Sequence, residues 1–266
     1  PKEDFVRTNY PNVEGQPQVI VVGAGPGGLF AALRLVELGL RPVVVERGKD
    51  VHSRRTDIAR ISREHVVDAE SNYSFGEGGA GAYSDGKLTT RIGDNRCELV
   101  LELLEEHGAP HDALQAAKPH IGTDRLQDTV RGLRQEILRL GGEVHFRHQV
   151  TDMVMTNGAL CAVIVSTPDG EREIPCHHVI LAIGHSARDT AAMLHRRGLP
   201  MEQKPFAVGV RVEHPRTMID KSQYGPAAGH PALGAADYKL NCRTDSGRGV
   251  YTFCMCPGGT VVAAAS

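Results

Sequence analysis

Apolar residues first cluster at Val19-Ile20-Val21-Val22, a short β-branched run ending on glycine, the pattern of a parallel strand buried on both faces. The next apolar positions, Leu29, Ala32, Leu33 and Val36, fall at i, i+3, i+4 and i+7 and predict an amphipathic helix. Gly39 supplies the left-handed residue that ends it, and Pro42 opens a second strand, Val43-Val44-Val45-Glu46. Strand, helix and strand make a βαβ unit with an expected right-handed crossover. Residues 1–17 carry Pro1, Pro11 and Pro17 without any period and read as an arm or linker.

Residues 48–95 lack a sustained apolar period, so a long functional loop is expected there, with one short helix around Thr56 to Val67. Leu99, Val100, Leu103 and Leu104 predict a helix closed by Gly108. A stronger stripe, Leu126, Val130, Leu133, Ile137 and Leu140, follows Thr123 as the expected N-cap. After a strand at Glu143 to Phe146, β-rich runs separated by Asn157-Gly158 and Pro168-Asp169-Gly170 predict an antiparallel meander over about 150–175. Val179 to Ile183 returns to the parallel sheet. Ser186 is expected to cap a last helix through Leu194, with a boundary at Pro200 and Pro205. From Phe206 the alternation of Val208, Val210 and Val212 predicts strand. The fold class expected is α/β: a Rossmann-like domain over 18–205 with a parallel sheet and an inserted antiparallel β-meander, plus the start of a β-rich second domain over 206–266.

Composition narrows the function classes. Lys and Arg number 30 against 32 Asp and Glu, a net charge of −2, so no strong field recruits nucleic acid or an anionic membrane. The apolar runs fall far short of the ~20 residues of a spanning helix, and a soluble, cytoplasmic protein is expected. Six cysteines in 266 residues are unlike a disulfide-stapled scaffold, which favours reduced thiols. Glycine, 30 residues, is enriched over the usual ~7% and points to backbone-lined binding loops.

Gly23-Ala24-Gly25-Pro26-Gly27-Gly28 reads G-x-G-x-x-G directly between strand and helix, the context that makes this fingerprint informative. Gly23 permits the tight turn, Gly25 lets a pyrophosphate approach the backbone, and Gly28 lets the helix pack close to the strand. The helix N-terminus offers amides and a partial positive charge to phosphates. Glu46, at the end of the second strand, is placed to accept from a ribose 2′-OH and to repel a 2′-phosphate. The alternative is a glycine-rich turn that holds no ligand. NAD and FAD share the adenosine diphosphate half, so the fingerprint does not choose between them. The second cluster, Gly76-Glu77-Gly78-Gly79-Ala80-Gly81, lacks the flanking strand and helix of another Rossmann motif. Such a loop can instead lay backbone amides against a flavin or its pyrophosphate, with Ser84, Lys87 and Arg91 as polar contributors.

These residues together resemble a known family. Gly23 to Gly28, Glu46-Arg47-Gly48, Phe75 to Gly81 leading to Ser84-Asp85-Gly86-Lys87-Leu88, and Ala182-Ile183-Gly184-His185-Ser186-Ala187-Arg188-Asp189 look like the bacterial FAD-dependent oxidoreductases usually labelled uncharacterised FAD-dependent dehydrogenases. Lys118-Pro119-His120-Ile121-Gly122-Thr123-Asp124-Arg125 and the run Tyr251 to Gly259 add to the likeness, which spans residues 18–266. More distantly the layout is similar to glutathione-reductase-type flavoproteins. The resemblance implies FAD as cofactor and an FAD-binding domain joined to a smaller substrate domain. It implies that Glu46 holds the adenosine ribose, that Arg47 lies beside the adenosine half and that the Val150 backbone meets the adenine. Ala182-Ile183-Gly184 corresponds to an Ala-Thr-Gly strand end, with Ile183 in place of the threonine hydroxyl. Gly79, Ala80, Gly81, Ser84, Gly86 and Lys87 would complete the cofactor site, and Lys87 would stabilise negative charge on a reduced ring. A later Gly-Asp motif of such proteins is absent before Ser266, so the chain reads as a fragment with weakened FAD retention.

The function expected is hydride or electron transfer between an unidentified small-molecule substrate and FAD, with NAD(P)H as a transient donor or the substrate itself as reductant. The alternatives are an FAD monooxygenase using NAD(P)H and oxygen, and a dinucleotide-binding sensor without turnover. Cys254-x-Cys256 lacks the C-x-x-C spacing of a dithiol site. Cys176-His177-His178 points adjacent side chains to opposite faces of a strand, so no metal is expected. His185 is a candidate acid or base, or a cap.

Overall fold

The computed structural model describes residues 10–84, 86–90, 92–112, 120–253, 255–257 and 259–266. Asp85, Arg91, Lys118, Pro119, Cys254 and Gly258 lie outside the described residues. The chain divides after Met201, and Glu202–Ala263 form a second compact unit.

The first unit opens with β1 (Gln18–Val22), α1 (Pro26–Glu37), β2 (Arg41–Glu46), α2 (Arg54–Glu64), a 3₁₀ turn at Gly79–Gly81 and α3 (Arg96–Glu106). It continues through α4 (Thr123–Arg139), β3 (Glu143–Phe146), β4 (Gln149–Thr156), β5 (Ala159–Thr167), β6 (Gly170–Pro175), β7 (Val179–Leu181) and α5 (Arg188–Arg196). A parallel sheet runs in the order β3-β2-β1-β7, with Val22 opposite Val45 on one side and Leu181 on the other. The meander β4-β5-β6 forms a separate antiparallel sheet. Its first turn is Asn157-Gly158, both residues at positive φ, as the twist of a two-residue hairpin demands. The expected α/β Rossmann-like architecture with its meander is what the chain adopts.

Strand alternation explains the apolar run at residues 19–22 of β1. Val19 and Val21 pack with Leu29 and Leu33 of α1 and Ile137 of α4, whereas Ile20 and Val22 pack with Val163 and Val165 of β5 and Met193 of α5. Each face of the sheet therefore has its own cover, and the strand needs no polar side. Among the described residues no helix is long and apolar enough to cross a membrane.

Four expectations change. The described part of the arm is not a loose linker: Val13 is buried against Val36 and Leu140, and its amide donates to the Leu140 carbonyl at 2.8 Å. Thr123 is the first helical residue of α4, because Gly122, at φ 91°, takes the N-cap position in a conformation suited to glycine. Ser186 does not cap α5. Ala187 does, while the Ser186 carbonyl accepts the Arg188 amide at 2.8 Å in a tight turn. In the second unit the alternating run 206–212 forms no strand; Phe206, Val208, Val210 and Val212 are exposed, since no described segment pairs with them. That unit instead contains α6 (Arg216–Tyr224) and a short hairpin of β8 (Asn241–Arg243) and β9 (Gly249–Tyr251).

The packing yields a first prediction. Ile137 is fully buried between α4 and the sheet, away from the glycine loops. Ile137→Ala is expected to lower the unfolding free energy by about 2–5 kcal/mol in urea denaturation. A change below about 0.5 kcal/mol would show that this face of the sheet is not close-packed.

Candidate functional site

The crevice lies at the carboxyl ends of the strands, where ligands of open α/β sheets bind. β1 delivers the first glycine turn to it, β2 delivers Glu46 and Arg47, and β7 delivers Ala182, Ile183 and Gly184. Together they border a cavity of about 420 Å³. That lies within the range of about 300–1,000 Å³ typical of small-molecule sites.

The local geometry explains the glycines of the fingerprint. Gly23 has φ 105°, donates to the Val45 carbonyl at 2.8 Å, and would place a Cβ 2.5 Å from the Ala182 carbonyl oxygen. A Cβ on Gly28 would sit 1.8 Å from the Gly23 oxygen, so Gly28 packs the start of α1 onto the turn and does not line the cavity. Gly25, Pro26 and Gly27 do line it. Pro26 has no N–H and Leu29 donates to the Gly25 carbonyl at 3.0 Å, so Gly27 and Gly28 carry the first-turn amides that need a partner outside the helix, and Gly27 lies at this wall.

The second glycine loop folds back onto the first. Gly78 donates to the Ala24 carbonyl at 2.8 Å, and a Cβ on Gly79, at φ 61°, would meet the Gly25 Cα at 3.2 Å. Gly79, Ala80 and Gly81 thereby reach the cavity. Ser84, Gly86 and Lys87 do not. The Ser84 hydroxyl donates to the Gly81 carbonyl at 2.7 Å, and Lys87 forms an antiparallel bridge with His120. Gly86, at φ 67°, is close to Ile121 and Leu126, where a Cβ would lie 3.3 Å from each side chain.

Glu46 has more partners than a ribose acceptor needs. Its carboxylate, 5% exposed, accepts the amides of Ala24 at 2.7 Å on Oε2, and of Gly48 at 2.9 Å and Gly76 at 2.8 Å on Oε1. A carboxylate has about four acceptor positions, which leaves room on Oε2 at the cavity. Arg47 also borders the cavity, but its guanidinium is engaged. It meets Glu70 at 2.7 and 2.9 Å and Asp189 twice at 2.9 Å, and lies 4.2 Å above the Phe75 ring. Burial alone would lower its pKa; the hydrogen bonds to Glu70 and Asp189 outweigh that and hold it above the ordinary value. Asp189 also accepts from the Gln149 side chain at 2.8 Å. Its carboxyl, which burial would raise, is held below its ordinary value by Arg47 and the Thr190 amide.

Val150 lines the cavity beside His148 and Gln149, and His185 borders it next to Gly184. His148 and Gln149 were not anticipated; their only sequence signal is adjacency to Val150. The buried residues Arg54, Glu77 and Arg134 were missed as well. Glu77 is fully buried; its carboxylate accepts the Val51 amide at 2.8 Å and lies 2.7 Å from Arg134 Nε, an ion pair too bent for a hydrogen bond. Burial pushes this carboxyl up, against the Val51 amide and Arg134. Among the described residues no group of three or more His, Cys, Asp or Glu is arranged to hold a metal ion.

Comparison with known proteins adds to this geometry. Residues 17–195 match the family model described as pyridine nucleotide-disulphide oxidoreductase, and residues 205–266 match that described as FAD-dependent protein, C-terminal domain-like. An uncharacterized protein of Clostridium beijerinckii is 47% identical over 99% of this chain and 48% of its own length. A thiamine thiazole synthase of Aeropyrum pernix is 28% identical over 67% of this chain and 58% of its own. The chain spans about half the length of the curated relatives it matches. Similar solved structures include THI4 of Thermovibrio ammonificans, with TM-score 0.45 and 16% identity, covering 71% of this chain and 65% of that one. A flavoprotein/dehydrogenase of Cytophaga hutchinsonii gives TM-score 0.40 and 18% identity, covering 72% and 44%.

Two predictions follow from the glycine turn and the Arg47 cluster. Gly28→Ala is expected to destabilise the chain by about 1–3 kcal/mol or more. Gly27→Ala, whose Cβ meets only the Ala182 methyl at 3.9 Å, should stay within about 0.5 kcal/mol of the parent in the same urea assay. Equal stabilities would refute the close approach of α1 to the turn. For Asp189, a depressed carboxyl binds fewer protons folded than unfolded. Its contribution is therefore present above the ordinary value of 3.8 and is lost as pH falls through the folded value. The Asp189 side chain is 48% exposed, so Asp189→Asn should cost no more than about 1 kcal/mol at neutral pH. That difference should shrink progressively as pH falls below 3.8; a cost independent of pH would assign it to packing.

Proposed function

We propose, because this chain belongs to the pyridine nucleotide-disulphide oxidoreductase family and takes FAD as its cofactor, that it is an FAD-dependent oxidoreductase acting on a small-molecule substrate, with the adenosine diphosphate half of FAD held between its two glycine loops. The observation that carries this reading is the close stacking of Gly25 and Gly79 at the cavity wall. Side chains there would close the approach of a diphosphate to the backbone, and the residues present fit such a group.

When bound, FAD supplies hydride or electron transfer at its ring system. The chain's own residues bind and orient it. Pro26 has no N–H, so the Gly27 and Gly28 amides of the first turn of α1 are the donors offered to the diphosphate, with the positive end of the helix dipole behind them. The remaining acceptor position on Glu46 Oε2 takes a ribose hydroxyl. Its negative charge disfavours a 2′-phosphate at the same place. The Val150 backbone and the flat Arg47–Phe75 stack bound the adenosine end. Ala182, Ile183 and Gly184 form the opposite wall, where Ile183 offers only apolar contact. The electrons would come from NAD(P)H docking transiently or, alternatively, from the substrate itself.

The test begins with FAD added to the apoprotein, which should give retained absorbance between roughly 370 and 450 nm that bleaches on reduction. Calorimetric titration should then show ADP binding at least about tenfold more tightly than ADP bearing a 2′-phosphate. Equal affinities would remove Glu46 from the ribose, and absence of any retained flavin would remove the functional reading.

A further inference from the structure

We propose that Arg54 is a positioning residue for the cofactor: by drawing the carbonyls of the second glycine loop inward, it aims the Ala80 amide into the cavity as a donor to FAD. The inference rests on the functional reading above. It adds a residue that does not border the cavity and that no motif contains.

Arg54 is the first residue of α2, and its side chain is completely buried. Its Nε donates to the Asn72 carbonyl at 2.9 Å and its Nη1 to the Glu77 carbonyl at 2.7 Å. Its Nη2 contacts the carbonyls of Asn72 at 2.8 Å, Tyr73 at 3.1 Å and Gly79 at 2.9 Å. All its hydrogen-bond partners among the described residues are backbone oxygens of one loop. A guanidinium presents five donors in a rigid plane, and here that fork templates four carbonyl directions. Gly76 records the close passage of the side chain: a Cβ there would lie 2.4 Å from Arg54 Cδ.

Peptide planarity converts these contacts into a statement about amides. In a trans peptide the N–H points opposite to the C=O of the preceding residue. The Glu77 carbonyl points at Arg54, and the Gly78 amide on the other side of that peptide donates to Ala24 in the first glycine turn at 2.8 Å. The Gly79 carbonyl likewise points at Arg54, so the Ala80 amide points away from it. Ala80 borders the cavity, so its amide turns from Arg54 on the side of the peptide that meets this wall. One peptide thus ties the loop to the fingerprint, and the peptide two further on turns its N–H away from Arg54 beside it. A lysine at position 54 retains the charge but lacks the planar fork.

The experiment measures FAD and ADP affinities of the full chain, with amide exchange of Ala80 with and without FAD. In the parent, the Ala80 amide should exchange more slowly once FAD is bound. Arg54→Lys should weaken FAD about ten- to hundredfold and abolish that protection. Ala80→Pro removes the N–H and should weaken FAD by a similar factor. Ala80→Val keeps the N–H, adds bulk, and should lose far less. A parallel loss for ADP places the acceptor on the diphosphate, and a loss for FAD alone places it on the flavin half; both support the proposal. Should Arg54→Lys fail to fold, exchange in the parent decides. Unchanged Ala80 exchange on FAD binding, or unchanged FAD affinity in folded Arg54→Lys or Ala80→Pro, overturns it. A parent that binds FAD while the variants behave normally refutes only the role of Arg54, whereas a parent that binds no FAD refutes the functional reading too.

Discussion

The Glu46 carboxylate gathers three backbone amides, from Ala24, Gly48 and Gly76, at the point where β2 ends. An ionised carboxylate buried to this degree needs such donors, because its desolvation is otherwise expensive. Satisfying it joins three separate pieces of chain: the turn after β1, the residues after β2, and the loop that begins the second glycine cluster. Removing the acceptor would leave three amides facing one another with no partner. The crevice is therefore built around a negative charge whose first task is structural, and its remaining acceptor capacity is what a ribose can use.

Arg54 answers Glu46 with the opposite polarity. Where the carboxylate collects N–H groups, the guanidinium collects C=O groups, and both act on the same loop. Gly76 lies between them, its amide on Glu46 and its Cβ position filled by Arg54. An irregular loop with no ladder of its own thus has its buried backbone satisfied by two charged side chains, as the accounting of buried polar groups requires. This is why the segment from Asn72 to Gly79 can be tightly packed without being helix or strand.

The parts of this design that are local in sequence could be read from it. The βαβ unit followed from β-branched runs around a 3.6-residue period, and the turn glycines followed from a fingerprint flanked by strand and helix. The meander followed from Asn157-Gly158. What depends on partners far along the chain could not be read. Nothing near Arg54 indicates that its side chain crosses to residues 72–79, and a lone arginine at a helix start looks solvated. The close neighbours of Gly86, Ile121 and Leu126, lie 35 and 40 residues further on, where no local pattern points to them. The alternation of Val208, Val210 and Val212 satisfies a strand pattern, but a strand requires a partner and the described residues offer none. Helix starts shifted by one residue for a similar reason: Gly122 at positive φ, and not a Thr side chain, turns the chain into α4.

The distribution of charge around the cavity follows from the same economy. Arg47 is the lone Lys or Arg among the described residues that line it, and two carboxylates already engage that guanidinium. A diphosphate entering the crevice therefore meets little unpaired cationic side chain. The attraction must come from the backbone: the Gly27 and Gly28 amides at the start of α1, the aligned peptide dipoles behind them, and the Ala80 amide from the second loop. Backbone donors are fixed by the fold and lose no side-chain entropy when they bind, unlike a lysine recruited from solvent. A site made this way depends on loop geometry more than on net charge, which fits a chain whose charges nearly cancel. It also explains why glycine, which lets backbone approach backbone, is concentrated in the segments that form the walls.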